Sequence, residues 1–500
     1  MDIKSLKDKI LQLAIQGKLV PQDENNESAS LLLEKIKAEK EQLIKDKVIK
    51  KDKPLPEISE EEIPFKFPSN WKWARLVDLS KNCAVPFADG PFGSNLKSIH
   101  YTDNPEVRII QLSNIGEDGW KDSNVRYTTF KHAETIKRSM VECGDLVIAK
   151  MMPAGRTIEV PDNEKAYVLS SDAVKFVPHP KLDKKYLLYA INSEVFKKQI
   201  NSQVQGTTRV RTSLTKLKGY LVPVPPIEEQ KRIVAKVDEL FELIDELDNN
   251  KQELLENISN TRNKVLQLAI QGKLVEQCED DEPASLLLER IKAEKEQLIK
   301  DKVIKKEKPL PDISEEEKLF KTPSSWEWCR LGNISNIVMG QSPDSSTVSD
   351  VEGGIEFHQG KASFGKVFIN NSGLYCTKPS KIAIPDDILL SVRAPVGTLN
   401  ITDRELCIGR GLVAIRKYID IENKFFYYFI MALEEELVKK STGTTFKAVA
   451  STAIKEFLIP LPPLEEQNRI VAKIDLIMDY LDKLQQEIES QEIILKDILQ

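Results

Sequence analysis

Cysteine, histidine and long apolar runs are scarce in this sequence, and each scarcity argues against a class of protein. None of the six cysteines forms a Cys-x-x-Cys pair, so we expect reduced, mostly buried thiols rather than a disulfide framework. Only four histidines are present, which argues against a zinc site. No apolar run approaches the ~20 residues of a membrane span, and the N-terminal residues lack a signal-peptide core. We therefore expect a cytoplasmic protein with no membrane partner.

Catalytic signatures are also missing. The sequence contains no Gly-x-x-x-x-Gly-Lys-Ser/Thr loop, no His-Glu-x-x-His, no Gly-x-Ser-x-Gly and no Asn/Asp-Pro-Pro-Tyr/Phe tetrapeptide of the amino-methyltransferase kind. These absences disfavour an enzyme. We expect no catalytic residue, no bound cofactor and no metal site in this chain.

Charge is unevenly distributed along the chain. The net charge is −6, with 41% hydrophobic and 30% charged residues. Residues 77–220 hold 21 basic and 16 acidic side chains, whereas residues 332–456 hold 14 of each. The acidic excess therefore lies in the remaining segments. One mildly basic part is compatible with nucleic acid, although the net charge alone argues weakly against such a partner.

The sequence repeats itself. The segment LQLAIQGKLV at 11–20 recurs unchanged at 266–275, and IKAEKEQLIKDKVIK at 36–50 recurs at 291–305, both at an offset of 255. Repetition of this kind bears on the whole fold and takes precedence over local signals.

A second repeated block closes each copy. PVPPIEEQKRIVAKVD at 223–238 matches PLPPLEEQNRIVAKID at 460–475, at an offset of 237. Residues 77–205 and 332–442, which the repeated blocks enclose, are nearly unrelated. A common frame with two different inserts suggests two binding specificities on one scaffold. The repeat is cyclic, because the C-terminus corresponds to the middle of the chain, and this predicts neighbouring termini and pseudo-two-fold symmetry.

Heptad spacing of apolar residues predicts the frame. Pro225 and Pro226 leave a start position for a helix, and apolar residues then alternate four and three positions apart over 228–272. The same seam returns near the C-terminus. We predict two long antiparallel helices that form a coiled-coil spacer, the first about 65–70 Å long at 1.5 Å per residue. A long core helix of a globular domain is the alternative for each. A C-cap is expected at the equivalent residues Gly17 and Gly272.

The two inserts have the pattern of mixed α/β domains. Short runs such as 145–150 and 387–392 predict strands, and 185–200 and 424–440 predict helices. We therefore expect an α+β chain with one compact mixed domain in each copy.

Polar, glycine-rich loops occur at comparable depths in both inserts. Backbone amides of such turns approach phosphate, and their polar and basic side chains read base edges. Ordinary turn chemistry would give a similar composition. The loops are DGPFGSNLKS at 89–98, GTTRVRTS at 206–213, GQSPDSS at 340–346, HQGKASFGK at 358–366 and GTTFKAVAS at 443–451. The candidate DNA-contacting residues are Ser94, Asn95, Lys97, Thr207, Thr208, Arg209, Arg211, Gln341, Ser342, Gln359, Lys361, Thr444, Thr445 and Lys447.

Several segments carry a family resemblance. The long helices open with PPIEEQKRIVAKVDEL and PPLEEQNRIVAKIDLI, the first insert contains ADGPFGSNLKS and QLSNIG, and the second contains MGQSPDSS. Together with the cyclic repeat and the divergent inserts, these segments resemble the DNA specificity subunit of type I restriction–modification systems over essentially the whole chain.

The resemblance implies a function for each part. Each insert would be a target recognition domain that reads one half of a bipartite double-stranded DNA site. The spacer helices would set the gap between the half-sites and dock two modification (methyltransferase) subunits, and restriction subunits would join the complex. S-adenosylmethionine, ATP and Mg²⁺ would serve the partner subunits, which methylate adenine and translocate and cut DNA. This chain would be non-catalytic.

Two other interpretations of the function stay open. The chain could instead be the specificity subunit of a combined restriction–methylation system outside type I, or a coiled-coil adaptor that binds proteins only.

The resemblance and the repeat together predict domain boundaries. The predicted boundaries are 1–20 for the N-terminal part of the second spacer helix region, 21–226 for the first target recognition domain with its helical and linker segment 28–63, 227–275 for the central spacer helix, 276–463 for the second target recognition domain with its segment 283–318, and 464–500 for the C-terminal spacer helix.

Overall fold

The fold divides into two compact units of the chain, Met1–Asn250 and Lys251–Gln500. We term the globular part of each unit its head; the first head comprises residues 72–224 and the second head residues 327–461. The structure is a computed structural model, and of residues 491–498 it describes the backbone alone. It describes residues 3–23, 25–51, 54–202, 211–393, 396–418, 421–439 and 449–498.

The first unit contains the first seven helices, the last of which continues into the second unit. The helices are α1 Ile3–Ile15, α2 Ala29–Lys45, α3 Phe130–Thr135, α4 Lys184–Asn192, α5 Glu194–Asn201, α6 Leu214–Gly219 and α7 Ile227–Ile270. The strands are β1 Lys72–Arg75, β2 Phe87–Asp89, β3 Tyr101–Thr102, β4 Val107–Ile110, β5 Tyr127–Thr128, β6 Met140–Val141, β7 Leu146–Ala149, β8 Thr157–Glu159, β9 Tyr167–Leu169, β10 Ala173–Phe176 and β11 Leu221–Val224.

The second unit repeats this order of strands. Its helices are α8 Ala284–Lys300, α9 Leu331–Ile334, α10 Asn423–Ala432, α11 Glu434–Lys439, α12 Ser451–Lys455 and α13 Leu464–Ile498. Its strands are β12 Glu327–Arg330, β13 Ser335–Met339, β14 Val348–Ser349, β15 Ile355–His358, β16 Tyr375–Cys376, β17 Ile382–Ala383, β18 Ile388–Ser391, β19 Leu399–Ile401, β20 Leu406–Ile408, β21 Leu412–Lys417 and β22 Leu458–Leu461.

Each head contains the same three sheets. In the first head the strand orders are β1-β11, β2-β10-β7-β8 and β3-β5-β4-β9-β6. The second head has β12-β22, β13-β21-β18-β19 and β14-β16-β15-β20-β17, which is the same topology. The pairs β4–β9 and β15–β20 are parallel, while the other pairs of these sheets are antiparallel. The two unrelated inserts therefore have one fold, and the predicted α+β class is confirmed.

Alternating burial explains how a four-stranded sheet serves two cores. In β7, Leu146 and Ile148 face the helices, whereas Val147 and Ala149 pack with residues of the five-stranded sheet. Side chains of consecutive strand residues point to opposite faces, so a run without polar residues signals a strand covered on both sides. The fully buried sequence LVIA has this pattern.

Helix α7 is one continuous helix of 44 residues. It follows Pro225 and Pro226, and acidic Glu228 and Glu229 occupy its first turn, where the helix dipole favours negative charge. After its end, Gly272 adopts a φ of +67°, its N–H donates to the Ala269 carbonyl (3.0 Å), and the next N–H donates to Leu268. This is the glycine C-cap that the sequence predicts.

The end of α7 and the start of α13 lie side by side in the second unit. Gln277, just past α7, donates to Glu466 in the first turn of α13. Farther from the head, the Arg262 guanidinium donates to the Asp482 carboxylate (2.7 Å). The two helices therefore run antiparallel in this unit, as the pseudo-two-fold repeat predicts.

The first unit makes the same contacts with its own residues. Gln22, just past α1, donates to Glu229 in the first turn of α7, and Lys7 pairs with Asp245 (2.8 Å). The sequence offsets of 255 and 237 carry each of these pairs onto its counterpart in the second unit. The repeated blocks of the sequence therefore make the same pairwise contacts in each unit.

Glu466 joins the head of the second unit to α13. Glu466 is 1% exposed, and its carboxylate accepts from the Trp326 indole Nε1 at 2.8 Å. Burial raises the pKa of Glu466, and the hydrogen bonds from Trp326 and Gln277 offset part of that rise. Trp326, the residue before β12, thus ties the first strand of the head to α13 through this hydrogen bond.

Glu466→Ala is expected to destabilise the second unit by about 1–3 kcal/mol, because the Trp326 N–H would be left buried without its acceptor. Chemical denaturation of the purified chain measures this loss. Glu465→Ala, on the exposed neighbouring position of the same turn, is the matched control and should change stability by less than about 0.5 kcal/mol. Equal losses in the two variants would contradict the assignment.

Glu466→Gln is expected to flatten the dependence of stability on pH. Because the pKa of Glu466 is raised in the folded chain, the unfolded state ionises first as the pH rises. The wild type therefore loses stability as the pH passes upward through the folded pKa, while the glutamine variant lacks this loss. Unfolding curves across the acidic to neutral range test the sign, and a wild type that gains stability relative to the glutamine variant as the pH rises would refute it.

No helix within the ranges that the structure describes is both long and apolar enough to span a bilayer.

Candidate nucleic-acid interface

One edge of the first head gathers residues that follow several strands. Strands β4 and β9 run parallel and end together, because the Ser170 N–H donates to the Ile110 carbonyl (2.9 Å). Gln111 comes directly after β4. The loop after β2 starts at the same place, since the Gly90 N–H donates to the Ala173 carbonyl (3.0 Å) at the start of β10. Loops held on a rigid sheet in this way are common carriers of function.

The second head builds the same edge. The Gly409 N–H donates to the His358 carbonyl (2.8 Å) at the end of β15, and the Gly340 N–H donates to the Leu412 carbonyl (3.0 Å). Gln359 takes the place of Gln111. We term this edge of each head its recognition edge. It comprises Gly90, Gln111 and Ser170–Asp172 in the first head, and Gly340, Gln359 and Gly409–Gly411 in the second.

Glycine is required where the loop meets the turn. A Cβ on Gly340 would lie 2.2 Å from the Gly409 carbonyl oxygen, and a Cβ on Gly90 would lie 1.6 Å from the Ser170 carbonyl oxygen. Both distances are far below van der Waals contact with backbone that cannot easily give way, so only glycine fits. Gly90 in the loop 89–98 and Gly340 in the loop 340–346 therefore fix the backbone of the edge in the two heads.

Three of the predicted residues come together in the second head. The Ser342 hydroxyl donates to the Gln359 Oε1 at 3.0 Å. The Gln341 N–H donates to the Ile408 carbonyl (3.0 Å), and its own carbonyl accepts from the Ser380 hydroxyl (3.2 Å). Gln341 and Gln359 are exposed. The edge thus presents two amide side chains, the kind that can pair with adenine in the major groove.

Arg410 is a strong candidate that the sequence prediction missed. It is exposed, lies between Gly409 and Gly411, and its N–H reaches the Ser342 hydroxyl at 3.5 Å. Its guanidinium has no hydrogen bond or ion pair with any residue that the structure describes. The neighbouring Lys381 is also exposed, and its carbonyl accepts from the Ile408 N–H. An arginine between two glycines in a polar turn is the sequence signal that could have identified it.

Gly409→Ala is expected to displace Gln359, because the added Cβ would lie 2.5 Å from Gln359 Oε1 and 2.9 Å from its Cα. Overpacking of this kind costs about 1–3 kcal/mol, so the free energy of unfolding of the chain should fall by about that amount. Gly360→Ala, at an open position one residue past Gln359, should change it by less than about 0.5 kcal/mol. Chemical denaturation of the two purified variants measures the difference, and a Gly360→Ala variant as unstable as Gly409→Ala would contradict the expectation.

Lys361 is engaged inside the second head. Its ammonium donates to the Thr398 hydroxyl at 3.0 Å. Burial raises the pKa of Glu434, and the charge of Lys361 nearby offsets part of that rise. Lys361 therefore helps to position Thr398, whereas its contact with DNA stays a prediction.

The predicted loop 89–98 of the first head is hydrogen-bonded to α3. The Asn95 carbonyl contacts His132 Nε2 at 2.9 Å, and the Lys97 N–H donates to His100 Nδ1 at 3.0 Å. The His100 and His132 rings stack with centroids 3.9 Å apart. Desolvation, His132 and Lys97 together lower the pKa of His100. The Ser94 hydroxyl donates to the Asn95 Oδ1 at 3.2 Å.

This loop ends far along the sheet from where it begins. The Thr128 hydroxyl donates to the His100 carbonyl (2.8 Å), and Thr128 pairs with Val107 at the start of β4. Gln111 follows the other end of that strand. The structure therefore places the first part of the loop, near Gly90, at the recognition edge and draws its last part away.

Arg211 lies at the recognition edge beside a buried lysine. Its backbone bridges to Met151, and the preceding Lys150 donates its N–H to the Asp172 carbonyl (2.8 Å). The Lys150 ammonium pairs with the Asp89 carboxylate at 2.7 Å, and the Lys150 side chain is 9% exposed. Arg211 itself is exposed. The sequence prediction included Arg211 and missed the Lys150–Asp89 pair.

The remaining predicted residues lie outside the described residues. They are Thr207, Thr208, Arg209, Thr444, Thr445 and Lys447.

Within the described ranges, no three His, Cys, Asp or Glu side chains come together as a set of metal ligands.

Comparison with known proteins identifies the class of these two heads. Residues 68–257 and 323–495 each match the family described as type I restriction modification DNA specificity domain. The sequence is 31% identical to the type I restriction enzyme EcoAI specificity subunit of Escherichia coli, over 96% of this chain and 90% of that protein. It is 33% identical to the EcoEI specificity subunit of Escherichia coli, over 69% and 64% of the two chains.

Solved structures show the same fold. The HsdS subunit from Thermoanaerobacter tengcongensis superposes with a TM-score of 0.52 at 28% identity, covering 88% of this chain and 97% of that one. A chain from a study of complex assembly and conformational transition of the type I R-M system gives a TM-score of 0.58 at 27% identity, covering 87% and 97%. Two heads of the DNA specificity class on long helices define the architecture. The chain belongs to the family of type I restriction–modification specificity subunits.

Proposed function

We propose that each head reads one half of a bipartite double-stranded DNA site through its recognition edge. The observation that carries the proposal is the duplication of this edge with different side chains. Ser171 stands where the second head has Arg410, while Gly90 and Gly340 make the same backbone contact. Base-edge contacts give specificity, so a shared backbone with different side chains suits two different base sequences.

The helical pairs are proposed to set the gap between the half-sites. Continuous α7 supports this role, because an α-helix has a fixed rise of about 1.5 Å per residue and transmits its length. Reading from one face of DNA favours half-sites about 34–36 Å apart, centre to centre.

Two modification subunits are proposed to dock on the helical pairs, one on each unit. The duplicated frame offers the same surface twice, which suits two copies of one partner. Leu243 in α7 and its repeat equivalent Tyr480 in α13 are 51% and 69% exposed, and they supply apolar contact area for such docking.

Catalysis is proposed to reside in the partner subunits, including restriction subunits, which would bind S-adenosylmethionine, ATP and Mg²⁺. The naming of the relatives as specificity subunits of restriction enzymes supports this division of labour. The role of this chain is then to select the DNA sequence.

Head duplication tests the proposal. A chain in which residues 332–456 replace 77–219 carries the second head twice. It would be assembled with the cognate modification subunits, and modified adenines would be mapped by single-molecule sequencing. The wild type should methylate one bipartite motif, and the duplicated chain should methylate an inverted repeat of one of its halves. An unchanged motif would refute reading by the heads.

A further inference from the structure

Two large apolar side chains are exposed beside the recognition edge of the first head. Phe92, two residues after Gly90, is 83% exposed, and Met152, two residues after Lys150, is 62% exposed. Aromatic rings contribute large apolar contact areas when they are buried, so an exposed ring on a binding edge suggests a partner that covers it.

The backbone holds Phe92 in place. The Gly90 contact with Ser170 fixes the loop on one side of it. The Asn95 N–H closes a turn onto the Phe92 carbonyl at 2.7 Å. Leu96 is buried and packs with the core residues of β4. Because the loop is held before and after the ring, little conformational freedom is lost when the ring contacts a ligand.

The second head differs at the equivalent position. Counting from the paired residues Gly90 and Gly340, Phe92 corresponds to Ser342, whose hydroxyl is engaged with Gln359. In the first head the ammonium of Lys150 is already paired with Asp89. The first head therefore presents an apolar contact where the second head presents hydrogen-bonding groups.

Resting on the proposed function, we infer that the first head selects thymine through its C5-methyl group, with Phe92 as the side chain that contacts it. The thymine methyl is the apolar group that the major groove displays, and phenylalanine is among the side chains that contact it. The half-site read by the first head contains at least one thymine whose methyl group contributes to recognition.

Uracil substitution isolates this methyl group. A set of duplexes carrying the methylation site would be made. In each duplex, deoxyuridine replaces a single thymidine of the first half-site, on one strand or the other. Each duplex would be assayed with the complex of this chain and its modification subunits. One substitution should lower the methylation rate by about three- to fivefold, the effect of removing one buried methyl group from an apolar contact. Phe92→Ala should lower the rate on thymine DNA similarly and lose the difference between thymine and uracil, because both changes remove one contact.

Matched variants separate this contact from general effects. Phe130→Ala removes another exposed phenylalanine, 46% exposed, whose N–H donates to Glu106 before the start of β4, at the end opposite Gln111. It should keep the full sensitivity to uracil. Phe92→Leu retains an apolar contact and should keep most of it. Uracil in the second half-site should affect the wild type and Phe92→Ala equally.

The outcomes distinguish this inference from the proposed function. A first half-site without thymine, no effect of uracil there, or full uracil sensitivity in Phe92→Ala would each overturn the inference while bipartite methylation persists. Methylation that does not depend on the base sequence of either half-site would instead overturn the proposed function.

Discussion

Insertion of one heptad into each long helix is expected to abolish methylation of the original DNA site, whereas three heptads are expected to create a new site. The insertions follow Asn250 in α7 and its repeat equivalent Glu487 in α13. Seven residues lengthen a helix by about 10 Å, or about three base pairs, which turns the second half-site by roughly 100° around the duplex. Twenty-one residues add about 32 Å, close to one turn of DNA.

The three-heptad chain should therefore methylate the same two half-sequences about nine or ten base pairs farther apart. Methylation mapping with the modification subunits measures the new gap. A 21-residue glycine–serine insertion after Lys306, in the exposed linker that follows α8, is the control of equal length and should leave the original site in use. If the helix insertions also left the site unchanged, the long helices would not set the gap.

Arg410→Ala is expected to lower methylation by about 10- to 100-fold and to relax the base requirement at one position of the second half-site. The guanidinium of Arg410 is exposed and has the two-pronged geometry that pairs with O6 and N7 of guanine, a contact worth about 1–3 kcal/mol. Arg410→Lys keeps the charge and loses the planar fork, so most of the loss should remain. Methylation rates on a set of sites with single base changes measure both effects.

Two lysine variants control for charge. Lys381→Ala removes an exposed cation next to Ile408, and it should weaken binding to all sequences equally while reducing the salt slope by about one. Lys321→Ala, in the exposed linker before β12, should have no effect. If Arg410→Ala behaved like Lys381→Ala, Arg410 would contact phosphate rather than a base.

The long helices could be predicted from sequence because their signals are local and repeated. Heptad spacing, the two prolines before Ile227 and the glycine after Ile270 all lie within one segment, and the second copy supplies an independent instance. The prediction gave the helix as 228–272, and the structure gives Ile227–Ile270. The heptad spacing of apolar residues is therefore sufficient to predict a helix that packs against a similar helix.

The recognition edge could be predicted only in part because it is assembled from distant residues. Strand β4 pairs with β9 across 59 residues, between Arg108 and Tyr167, and no local pattern announces a parallel pairing of that kind. Glycine-rich composition identified the loop at Gln341 and Ser342. It also favoured Lys361, which the structure ties to Thr398, whereas the Gly-Arg-Gly turn at Arg410 lay outside the predicted loops.

The glycine contacts at Gly90 and Gly340 have a consequence for how such proteins diversify. Each contact involves only main-chain atoms of the opposing turn, so it is insensitive to the identity of the neighbouring side chains. Under the proposed function, substitutions at Phe92, Ser171 or Arg410 would alter which bases are chosen without disturbing the backbone that presents these side chains. New target sequences would then become accessible through single amino-acid changes as well as through exchange of a whole head.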